Sequence, residues 1–363
     1  MNIVHVLDAL NIGGTEQLVL SLCRAAAQND LNMTLVATGD GELESEFSNS
    51  GVNFVRLNRR KPLDWRLVSK LREILADAQA EVIHCHQPVE GLHAWLAARK
   101  MKTKKVLTHH AYHADQKNEL AKRFLIPRMD ANISVSIGMQ SKLAQRQKIG
   151  SNFHVIYNGV SPEDYPRSRK SLKQELGLSE GDLLLGMVGN FYYEAKDQMT
   201  VCKALPEIFR RFPNVHFAFV GARFEPRAYL YDDCVDFCRQ ANILDRVHFV
   251  GKRSDVADIL ECLDVFVFSS IDDTFGIAAI EAMLMGVPTI VSDIPPLLEV
   301  SDHGKYASVF ECKNVEQLTI KISDLISSPE DRNKLAKAGK KWAMKNFSVE
   351  NYIRNLKNLY AAL

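Results

Sequence analysis

Short apolar segments rich in valine, isoleucine and phenylalanine recur along the chain, and polar residues bound each of them. Segments of this kind between polar turns are typical of buried strands. In the first half they predict strands at Ile3 to Leu7, Thr34 to Ala37, Phe54 to Leu57, Val82 to His86, Val106 to His109, Ile133 to Val135 and Val155 to Tyr157.

Segments with apolar residues three or four positions apart lie between these strands and predict helices. In the segment Asp64 to Ala78, apolar residues including Trp65, Leu67 and Leu71 fall on one predicted face. The same spacing predicts helices near the end of the chain, over Val315 to Ile326, Pro329 to Lys345 and Val349 to Leu363.

The alternation of strands and helices repeats after a polar, proline-containing segment from Ser161 to Gly181. The second set of predicted strands is Leu183 to Val188, His216 to Val220, Val247 to Val250, Val265 to Phe268 and Thr289 to Val291. Such alternation is typical of a doubly wound parallel sheet, and 363 residues exceed what one core usually serves. We therefore predict an α/β protein of two domains that meet near Pro162, with a ligand in the cleft between them.

One stretch, Leu263 to Val300, combines a strand, an acidic turn and a helix. The strand Val265 to Phe268 precedes a polar turn and a helix predicted from near Phe275 to Gly286. In an open parallel sheet this turn lies at the carboxyl edge, where ligands bind, and the helix start offers unpaired N–H groups to an anion. Asp273 in the turn and Glu281 in the helix would meet such a ligand.

The composition indicates a soluble globular protein and disfavours nucleic acid as a partner. Apolar residues make up 46% of the chain and charged residues 25%, and the formal net charge is +1. No apolar segment approaches the roughly 18 residues that cross a bilayer, and the first residues predict a strand rather than a signal peptide. Seven cysteines without CxxC pairs fit reduced thiols. We therefore expect a cytoplasmic protein.

The near-neutral charge conceals a basic segment in the first half of the chain. From Arg56 to Lys148 there are 19 lysines and arginines against 8 acidic residues. These charges either belong to solvated helix faces or form a surface for an anionic partner, such as a phospholipid bilayer.

Several motifs together carry a resemblance to a known family. The sequence IDDTFGIAAIEAMLMGVPTIVSD resembles the carboxylate-x7-carboxylate signature of the retaining nucleotide-sugar glycosyltransferases of family four. Further segments agree with that family in order and spacing, namely NIGGTEQ from Asn11, VIYNGV from Val155, MVGNFYYEAKDQ from Met187, VHFVGKRSDV from Val247 and FSVENY from Phe347.

The family resemblance implies a GT-B fold, in which two Rossmann-like domains face a cleft. Residues 1–162 would form the acceptor-binding domain and residues 163–346 the domain that binds the nucleotide-sugar donor. The last helix, residues 347–363, would cross back to the first domain.

The resemblance also implies roles for individual residues of the donor site. Lys196 would contact the diphosphate as a point charge, and Glu281 would accept hydrogen bonds from the ribose hydroxyls. Asp273 would hold the transferred sugar or the positive charge that forms on it during transfer. Backbone amides at the predicted helix start would add the helix dipole to the binding of the diphosphate, namely those of Thr274, Phe275, Gly276 and Ile277.

Residues of the first domain complete the predicted site. Gly13 and Gly14 stand between the first strand and its helix, where the lack of a side chain lets a phosphate or sugar approach the backbone. By resemblance, His110 would contact a hydroxyl of the donor sugar, although His109 could equally be that residue.

Two positions depart from the family pattern. The family usually has glutamate where this chain has Asp273, so either the loop moves closer, or Asp272 contributes, or the site selects a different sugar. Asn190 stands where arginine is common, which leaves more of the phosphate charge to Lys196 or brings in Arg253. Glu299 and Asp293 stay open between ligand roles and ordinary capping or turn roles.

A group of histidines raises the question of a metal site. The group comprises His84, His86, His109, His110 and His113. No cysteine or acidic residue accompanies them at matching spacing, and histidines at sheet edges often bond the backbone. The chain also lacks the Asp-x-Asp motif of metal-dependent transferases, so no metal or other cofactor is expected.

The expected function is a metal-independent, retaining transfer of a hexose-type sugar from a nucleoside diphosphate sugar, with a UDP-sugar favoured over a GDP-sugar. The acceptor would be a saccharide, and a lipid-linked one if the basic segment faces the inner side of an anionic membrane, in surface polysaccharide or glycolipid biosynthesis. Two alternatives stay open: a sugar-nucleotide 2-epimerase of similar fold, and a degenerate protein that binds sugar nucleotides without catalysis.

Overall fold

A computed structural model of the chain describes residues 1–111, 116–161, 166 and 170–363. It contains two compact units. Unit 1 comprises Met1–Val160 and Phe347–Leu363, and unit 2 comprises Ser161–Asn346. The predicted boundary at Pro162 lies outside the described residues, as does His113.

The described part of unit 1 is built on a sheet of seven strands that pair in parallel. These strands are β1 (Asn2–Leu7), β2 (Asn32–Ala37), β3 (Asn53–Arg56), β4 (Val82–Cys85), β5 (Lys104–His109), β6 (Ala131–Ser134) and β7 (Phe153–Val155). Their order across the sheet is β3-β2-β1-β4-β5-β6-β7. The order reverses between β1 and β4, as in doubly wound folds.

Helices cover both faces of this sheet. They are α1 (Gly14–Ala26), α2 (Glu44–Ser48), α3 (Trp65–Asp77), α4 (Pro88–Ala98), α5 (Gln116–Leu125) and α6 (Ile137–Ala144), with 3-10 turns at Ala27–Asn29 and Ile126–Arg128. Successive residues of β1 point to opposite faces. Val4 and Val6 pack with residues of α3 and α4, whereas Ile3 and Leu7 pack with residues of α1. Because both faces are buried, these strands are almost continuously apolar.

The described part of unit 2 repeats this architecture with six parallel strands. They are β8 (Leu183–Val188), β9 (Val215–Val220), β10 (Val247–Gly251), β11 (Val265–Phe268), β12 (Thr289–Ser292) and β13 (Ser308–Phe310). Their order is β10-β9-β8-β11-β12-β13. The reversal therefore falls between β8 and β11, the counterparts of β1 and β4.

The described helices of unit 2 follow the strands in turn. They are α7 (Leu172–Glu175), α8 (Gln198–Arg211), α9 (Tyr229–Gln240), α10 (Val256–Glu261), α11 (Ile277–Leu284), α12 (Pro295–Ser301), α13 (Val315–Ser327) and α14 (Pro329–Phe347), with 3-10 turns at Glu194–Lys196 and Glu225–Arg227. None of the helices in the described residues is both long and apolar enough to cross a membrane.

The final helix, α15 (Val349–Ala362), packs into unit 1. Ser348 caps it by accepting a hydrogen bond from the Asn351 N–H at 3.3 Å. The helix buries Tyr352, Leu356 and Tyr360, which lie at helical spacing, in the same apolar cluster as α1. The predicted fold, including the return of the last helix to the first domain, is confirmed.

Some local predictions are wrong at element boundaries. Helix α11 begins at Ile277 rather than near Phe275, because Gly276 adopts a left-handed backbone with φ of 92°. It ends at Leu284, and the left-handed Gly286 lies beyond it. His86 follows β4 rather than ending it. The sequence pattern does not predict the strand β13, because three residues are too few to show the alternation of a strand.

Trp65 is a further correction. The prediction placed it on the buried face of its helix, but its side chain is exposed. Helical side chains lean back over the turn before their own Cα. As the first residue of α3, Trp65 has no preceding helical turn to cover, so its indole lies outside the core.

Candidate functional site

In unit 2, the loops that follow β8 and β11 meet at the carboxyl edge of the sheet. The Ile271 N–H donates to the Ala195 carbonyl at 2.8 Å, and the Ser270 hydroxyl donates to the same carbonyl at 2.8 Å. The Ser269 hydroxyl donates to the Asp197 carbonyl at 2.8 Å. These bonds hold Lys196, which lies between Ala195 and Asp197, against the acidic turn. The meeting point is the place where doubly wound sheets bind ligands.

Asp273 and Lys196 form an ion pair at this edge. The Lys196 Nζ donates to the Asp273 Oδ2 at 2.6 Å, and the two side chains are 31% and 13% exposed. The other carboxylate oxygen, Oδ1, accepts the N–H groups of three consecutive residues, Thr274 at 2.7 Å, Phe275 at 3.0 Å and Gly276 at 3.0 Å.

These contacts set the charge of Asp273. Burial by itself raises the pKa of the carboxyl group. The charge and hydrogen bond of Lys196 and the N–H groups of Phe275 and Gly276 outweigh it, and the pKa is held below its usual value. Asp273 is therefore an anion at neutral pH, bound by a cation and by the N–H groups that precede a helix.

This arrangement bears directly on the predicted roles. The resemblance assigns Lys196 and the amides from Thr274 to Ile277 to a diphosphate, yet a carboxylate of the chain itself binds Lys196 and three of those amides. The site is therefore built for an anion. A diphosphate that used the same groups would have to displace Asp273.

Glu281 lies deeper in the same element. It is the fifth residue of α11, little more than one turn from Ile277, and it is buried. Because the helix starts later than the predicted position near Phe275, Glu281 lies closer to its start than the sequence indicated. Asp272 is exposed, and its carbonyl accepts the Ser270 hydroxyl at 3.2 Å.

The structure does not bring Asn190 and Arg253 to the ion pair through any bond among the described residues. The Asn190 Oδ1 accepts the Ala222 N–H at 2.8 Å and so links the loops after β8 and β9. Asp255 and Glu175 hold the Arg253 guanidinium, with distances of 2.6 and 2.7 Å, and these bonds raise its pKa.

The two positions that the sequence left open have different surroundings. Glu299 lies half-buried in α12. Asp293 is exposed, and its Oδ1 accepts the Cys312 N–H at 2.9 Å. That bond joins the loop after β12 to the loop after β13, which is a turn-stabilising role.

In unit 1, Gly13 and Gly14 lie at the start of α1, which follows β1. Gly13 precedes the helix with an extended backbone, and Gly14 is its first residue. A Cβ atom on Gly13 would lie 2.5 Å from the Glu16 Oε2, so the Glu16 carboxyl group folds back over this glycine. Burial, with a smaller contribution from the charge of Asp8, raises the pKa of Glu16 to about 7.

A charged network that the sequence reasoning missed lies beside this loop. Arg59 bonds Asp8 Oδ1 at 3.1 Å and Glu90 Oε1 at 2.8 Å. Glu90 is 1% exposed, and its Oε1 also accepts the Thr38 hydroxyl at 3.2 Å. Burial, then the charge of Asp8, raises the pKa of Glu90 to about 7 despite Arg59. The detectable signal was an acid directly after the first strand and another at the start of the helix after the fourth.

Three histidines of unit 1, His5, His86 and His110, form a hydrogen-bonded chain. The His5 Nδ1 lies 3.0 Å from the His86 Nε2, and the His86 Nδ1 lies 2.9 Å from the His110 Nε2. His84 bonds Thr108 and Tyr360, each at 2.6 Å. The sequence reasoning missed His5, which joins the group from the neighbouring strand.

Burial keeps these rings neutral. It lowers the pKa of His5 to about 3, and burial is also the main cause that lowers the pKa of His84 and His86 well below the usual value. One ring nitrogen from each of these three residues lies within 4.8 Å of the others, which is a spacing that could hold a metal ion. A metal there would have to replace hydrogen bonds within the histidine chain.

His109 takes no part in that chain through the bonds seen here. Its Nε2 lies 3.1 Å from the Asn132 Oδ1, and its ring stacks on Phe153. The predicted site residues thus fall into two groups. Lys196, Asp273 and the amides of Thr274 to Gly276 lie together in unit 2, whereas Gly13, Gly14 and His110 belong to unit 1.

Comparison with protein families gives matches for both units. Residues 168–342 match the model described as glycosyl transferases group 1. Residues 12–164 match the model described as glycosyltransferase family 4. The two matched segments correspond closely to unit 2 and to the greater part of unit 1.

Two curated relatives cover most of the chain. The N-acetyl-alpha-D-glucosaminyl L-malate synthase of Bacillus anthracis is 24% identical over 324 residues, or 85% of this chain and 82% of that protein. The lipopolysaccharide core biosynthesis mannosyltransferase LpsB of Rhizobium meliloti is 26% identical over 290 residues, or 78% of this chain and 79% of that protein.

Solved structures share the fold over the whole length. HepE of Anabaena, determined in complex with UDP and glucose, has a TM-score of 0.84 at 18% identity, and the match covers 100% of both chains. A glycosyltransferase from Rickettsia africae ESF-5 has a TM-score of 0.85 at 17% identity, with 99% of this chain and 97% of that chain covered.

Proposed function

This chain belongs to the glycosyltransferases of group 1, family four, and from that premise we propose that it transfers a hexose-type sugar from a nucleoside diphosphate sugar to a saccharide acceptor with retention of configuration. One observation carries the proposal. At the switch point of unit 2, Lys196 and three backbone N–H groups surround an anion. These are the groups that a leaving diphosphate needs.

The donor diphosphate takes over the contacts of the Asp273 carboxylate. Lys196 then neutralises the charge that grows on the leaving group, and the N–H groups of Thr274, Phe275 and Gly276 add directed hydrogen bonds. Because the chain itself supplies this positive potential, we propose that no metal ion or other cofactor is needed. A UDP-sugar is the favoured donor, which the UDP complex of HepE supports by analogy.

The displaced Asp273 carboxylate is then available to the sugar. The bond from the anomeric carbon to the diphosphate oxygen breaks, and its electron pair stays on that oxygen. The acceptor hydroxyl oxygen bonds the anomeric carbon on the same face, and its proton moves to a phosphate oxygen. Asp273 stabilises the positive charge that forms on the sugar in between.

The acceptor binds unit 1, where the histidine chain and the network of Asp8, Arg59 and Glu90 supply hydrogen-bonding groups at the sheet edge. Several relatives are named for polysaccharide or lipopolysaccharide assembly, such as LpsB. We therefore place the reaction in surface polysaccharide or glycolipid biosynthesis in the cytoplasm, with a lipid-linked saccharide as acceptor and peripheral contact of unit 1 with the inner face of an anionic membrane.

The test is a pair of variants measured with UDP-, GDP- and ADP-sugars by thermal shift and by product analysis. Asp273→Asn should bind UDP at least as well as the wild type, because it removes a competing charge, and should lower turnover by roughly tenfold or more. Asp272→Asn, an exposed neighbour with the same change, should leave both values near those of the wild type.

Other outcomes decide against the proposal in distinct ways. Loss of turnover in Asp272→Asn alone would show that Asp272, and not Asp273, stabilises the positive charge on the sugar. An epimerised nucleotide sugar, formed from donor alone, would identify a 2-epimerase. Nucleotide binding without transfer to any acceptor in a broad saccharide screen would identify a non-catalytic protein. Product with inverted anomeric configuration by NMR would exclude retention.

A further inference from the structure

Unit 1 carries a groove that combines an exposed tryptophan with cations. It has a volume of about 500 Å³. The residues that line it, called here the Trp65 groove, are Trp65, Arg72, Leu96, Arg99, Lys100 and Met101. Among them is no acidic side chain. The groove lies within the basic segment that the sequence singled out between Arg56 and Lys148.

The local structure forces apolar side chains outward at this place. Asp64 caps α3 by accepting the N–H groups of Arg66 at 3.1 Å and Leu67 at 3.4 Å, and it is itself buried. The residues on either side of this inward-pointing cap are Leu63 and Trp65, which are 41% and 64% exposed. Large exposed apolar side chains on both sides of one cap, with polar residues around them, are typical of a surface that contacts a partner or a membrane.

The cations around the groove lack acidic partners. The Arg72 guanidinium donates hydrogen bonds to two backbone carbonyls at the end of α4, those of Leu96 and Ala97, both at 3.3 Å. Arg99 and Lys100 follow that helix end and are exposed. Within the described residues, neither they nor Arg72 forms an ion pair with an acidic side chain, so the positive charge of the groove is uncompensated.

We propose that the Trp65 groove binds the anionic headgroups of a phospholipid bilayer. Tryptophan favours the headgroup level of a membrane, where its ring is apolar and its N–H stays hydrated. Clustered lysines and arginines are attracted by the negative surface potential of anionic lipids. A soluble phosphate would use the same cations but would gain nothing from Trp65 and Leu63. The proposal narrows the predicted membrane contact from a long basic segment to one surface.

The chain supplies a matched control in unit 2. A groove of about 560 Å³ along α14 is lined by Lys337, Lys340, Lys341, Met344 and Lys345. Its lining has four lysines, one cation more than that of the Trp65 groove, but no aromatic residue. If net charge alone attracted the protein to a membrane, charge reversal in either groove would have the same effect.

This proposal rests on the proposed function in one respect: a lipid-linked acceptor would be located in a bilayer, so the enzyme would act at the membrane surface. Vesicle binding is measured without turnover, by sedimentation of the full chain with phosphatidylcholine vesicles that contain or lack phosphatidylglycerol. Turnover is measured separately on a short, water-soluble saccharide. Failure of one measurement therefore leaves the other interpretable.

We expect the wild type to bind only the anionic vesicles. The double variant Arg99→Glu/Lys100→Glu should weaken that binding by roughly tenfold or more, and Trp65→Ala should weaken it severalfold. The control Lys340→Glu/Lys341→Glu should bind like the wild type. All variants should keep the thermal midpoint and the turnover on the soluble saccharide. The tryptophan fluorescence of the protein should shift to shorter wavelength with anionic vesicles, and Trp65→Ala, which keeps Trp95 and Trp342, should lose the shift.

Three results would overturn the proposal. Equal losses in the two double variants would reduce the effect to net charge. Binding that Trp65→Ala leaves intact would remove the groove from the contact. Full competition by millimolar inorganic phosphate, with the same dependence on Arg99 and Lys100, would identify a site for a soluble phosphate instead of a bilayer.

Discussion

The two units share one strand order but differ in the charges at their carboxyl edges. In unit 2, a lysine and an aspartate form a close ion pair where the strand order reverses. In unit 1, the equivalent edge has histidines held neutral by burial and carboxyl groups with raised pKa values. The shared topology determines where ligands can bind, whereas the local charges determine which ligands those are.

The first helices beyond the two edges show the difference most clearly. A carboxyl group of the chain meets each helix start, Asp273 before α11 and Glu16 in the first turn of α1. Lys196 helps to keep Asp273 ionised, whereas burial, with a smaller contribution from the like charge of Asp8, raises the pKa of Glu16 to about 7. The edge of unit 2 therefore holds an anion whose charge is constant near neutral pH. The edge of unit 1 instead has carboxyl groups that gain or lose a proton near neutral pH.

The largest effect should come from removing the cation that distinguishes unit 2. In Lys196→Met, we expect kcat/KM to fall by roughly a hundredfold or more, since the leaving diphosphate loses its point charge. The mostly buried Asp273 would also lose one hydrogen-bond partner, which should destabilise unit 2 by about 1–3 kcal/mol. Steady-state kinetics and thermal unfolding measure the two effects.

The exposed Lys203 of α8 offers the matched control for this prediction. Lys203→Met should change neither kcat/KM nor the unfolding temperature appreciably. Full activity of Lys196→Met would contradict the prediction, because it would show that the cation that distinguishes the edge of unit 2 does not contribute to catalysis.

Acid should unfold unit 1 before unit 2. The folded protein keeps His5, His84 and His86 neutral, but the unfolded chain protonates them below pH of about 6.5. Stability present at neutral pH is thus lost as the pH falls from 6.5 toward the folded value of about 3 for His5. The loss is about 1.4 kcal/mol per pH unit for each such histidine.

Hydrogen exchange read by mass spectrometry resolves the two units in this experiment. Amides of unit 1 should lose protection at a higher pH than those of unit 2, whose His216 and His248 are only half-buried. His5→Gln should reduce the acid sensitivity, and His303→Gln, at an exposed position, should not. Simultaneous loss of protection in both units would contradict the comparison.

The smallest expected effect concerns Glu16. Its raised pKa means that the folded chain binds an extra proton between pH of about 4.5 and 7, so stability falls as the pH rises through that window. Glu16→Gln removes the free-energy cost of ionising this carboxyl group in the folded protein. The substitution should stabilise the protein by about 1 kcal/mol at pH 8, after allowance for partial exposure, and by less at pH 5.

Urea unfolding at the two pH values measures this difference. Glu42→Gln, at an exposed position in the same unit, serves as the control and should be neutral at both. A loss of stability in Glu16→Gln at pH 8 would mean that the carboxylate stabilises α1 in its charged form, as Asp273 does for α11.

The architecture was predictable because it depends on local patterns. Buried parallel strands are apolar throughout and alternate with amphipathic helices, so twelve of the thirteen described strands are visible in the sequence. The missing strand, Ser308–Phe310, has only three residues, too few to show an alternation. Lys196 and Asp273 were found through motifs, but their contact joins residues 77 positions apart, which no local pattern encodes.

The rest of the candidate site needed the structure for the same reason. The bond from Arg59 to Asp8 spans 51 positions, and that between His5 and His86 spans 81. Each depends on neighbouring strands that are distant in sequence. The sequence also did not predict that Asp273 occupies the amides before α11. The left-handed backbone of Gly276 delays the start of that helix to Ile277, and the spacing of apolar residues does not show this.

The return of α15 to unit 1 has a consequence for the order in which the chain becomes structured during synthesis. Tyr360 bonds His84 across 276 positions, and α15 supplies part of the core around α1. Unit 1 emerges first from the ribosome but must wait for α15, whereas unit 2 has all of its residues earlier. Domains usually fold in the order in which they are synthesised, but here unit 1 is completed after unit 2. A nascent chain that stalls before α15 would expose an unfinished apolar surface to chaperones.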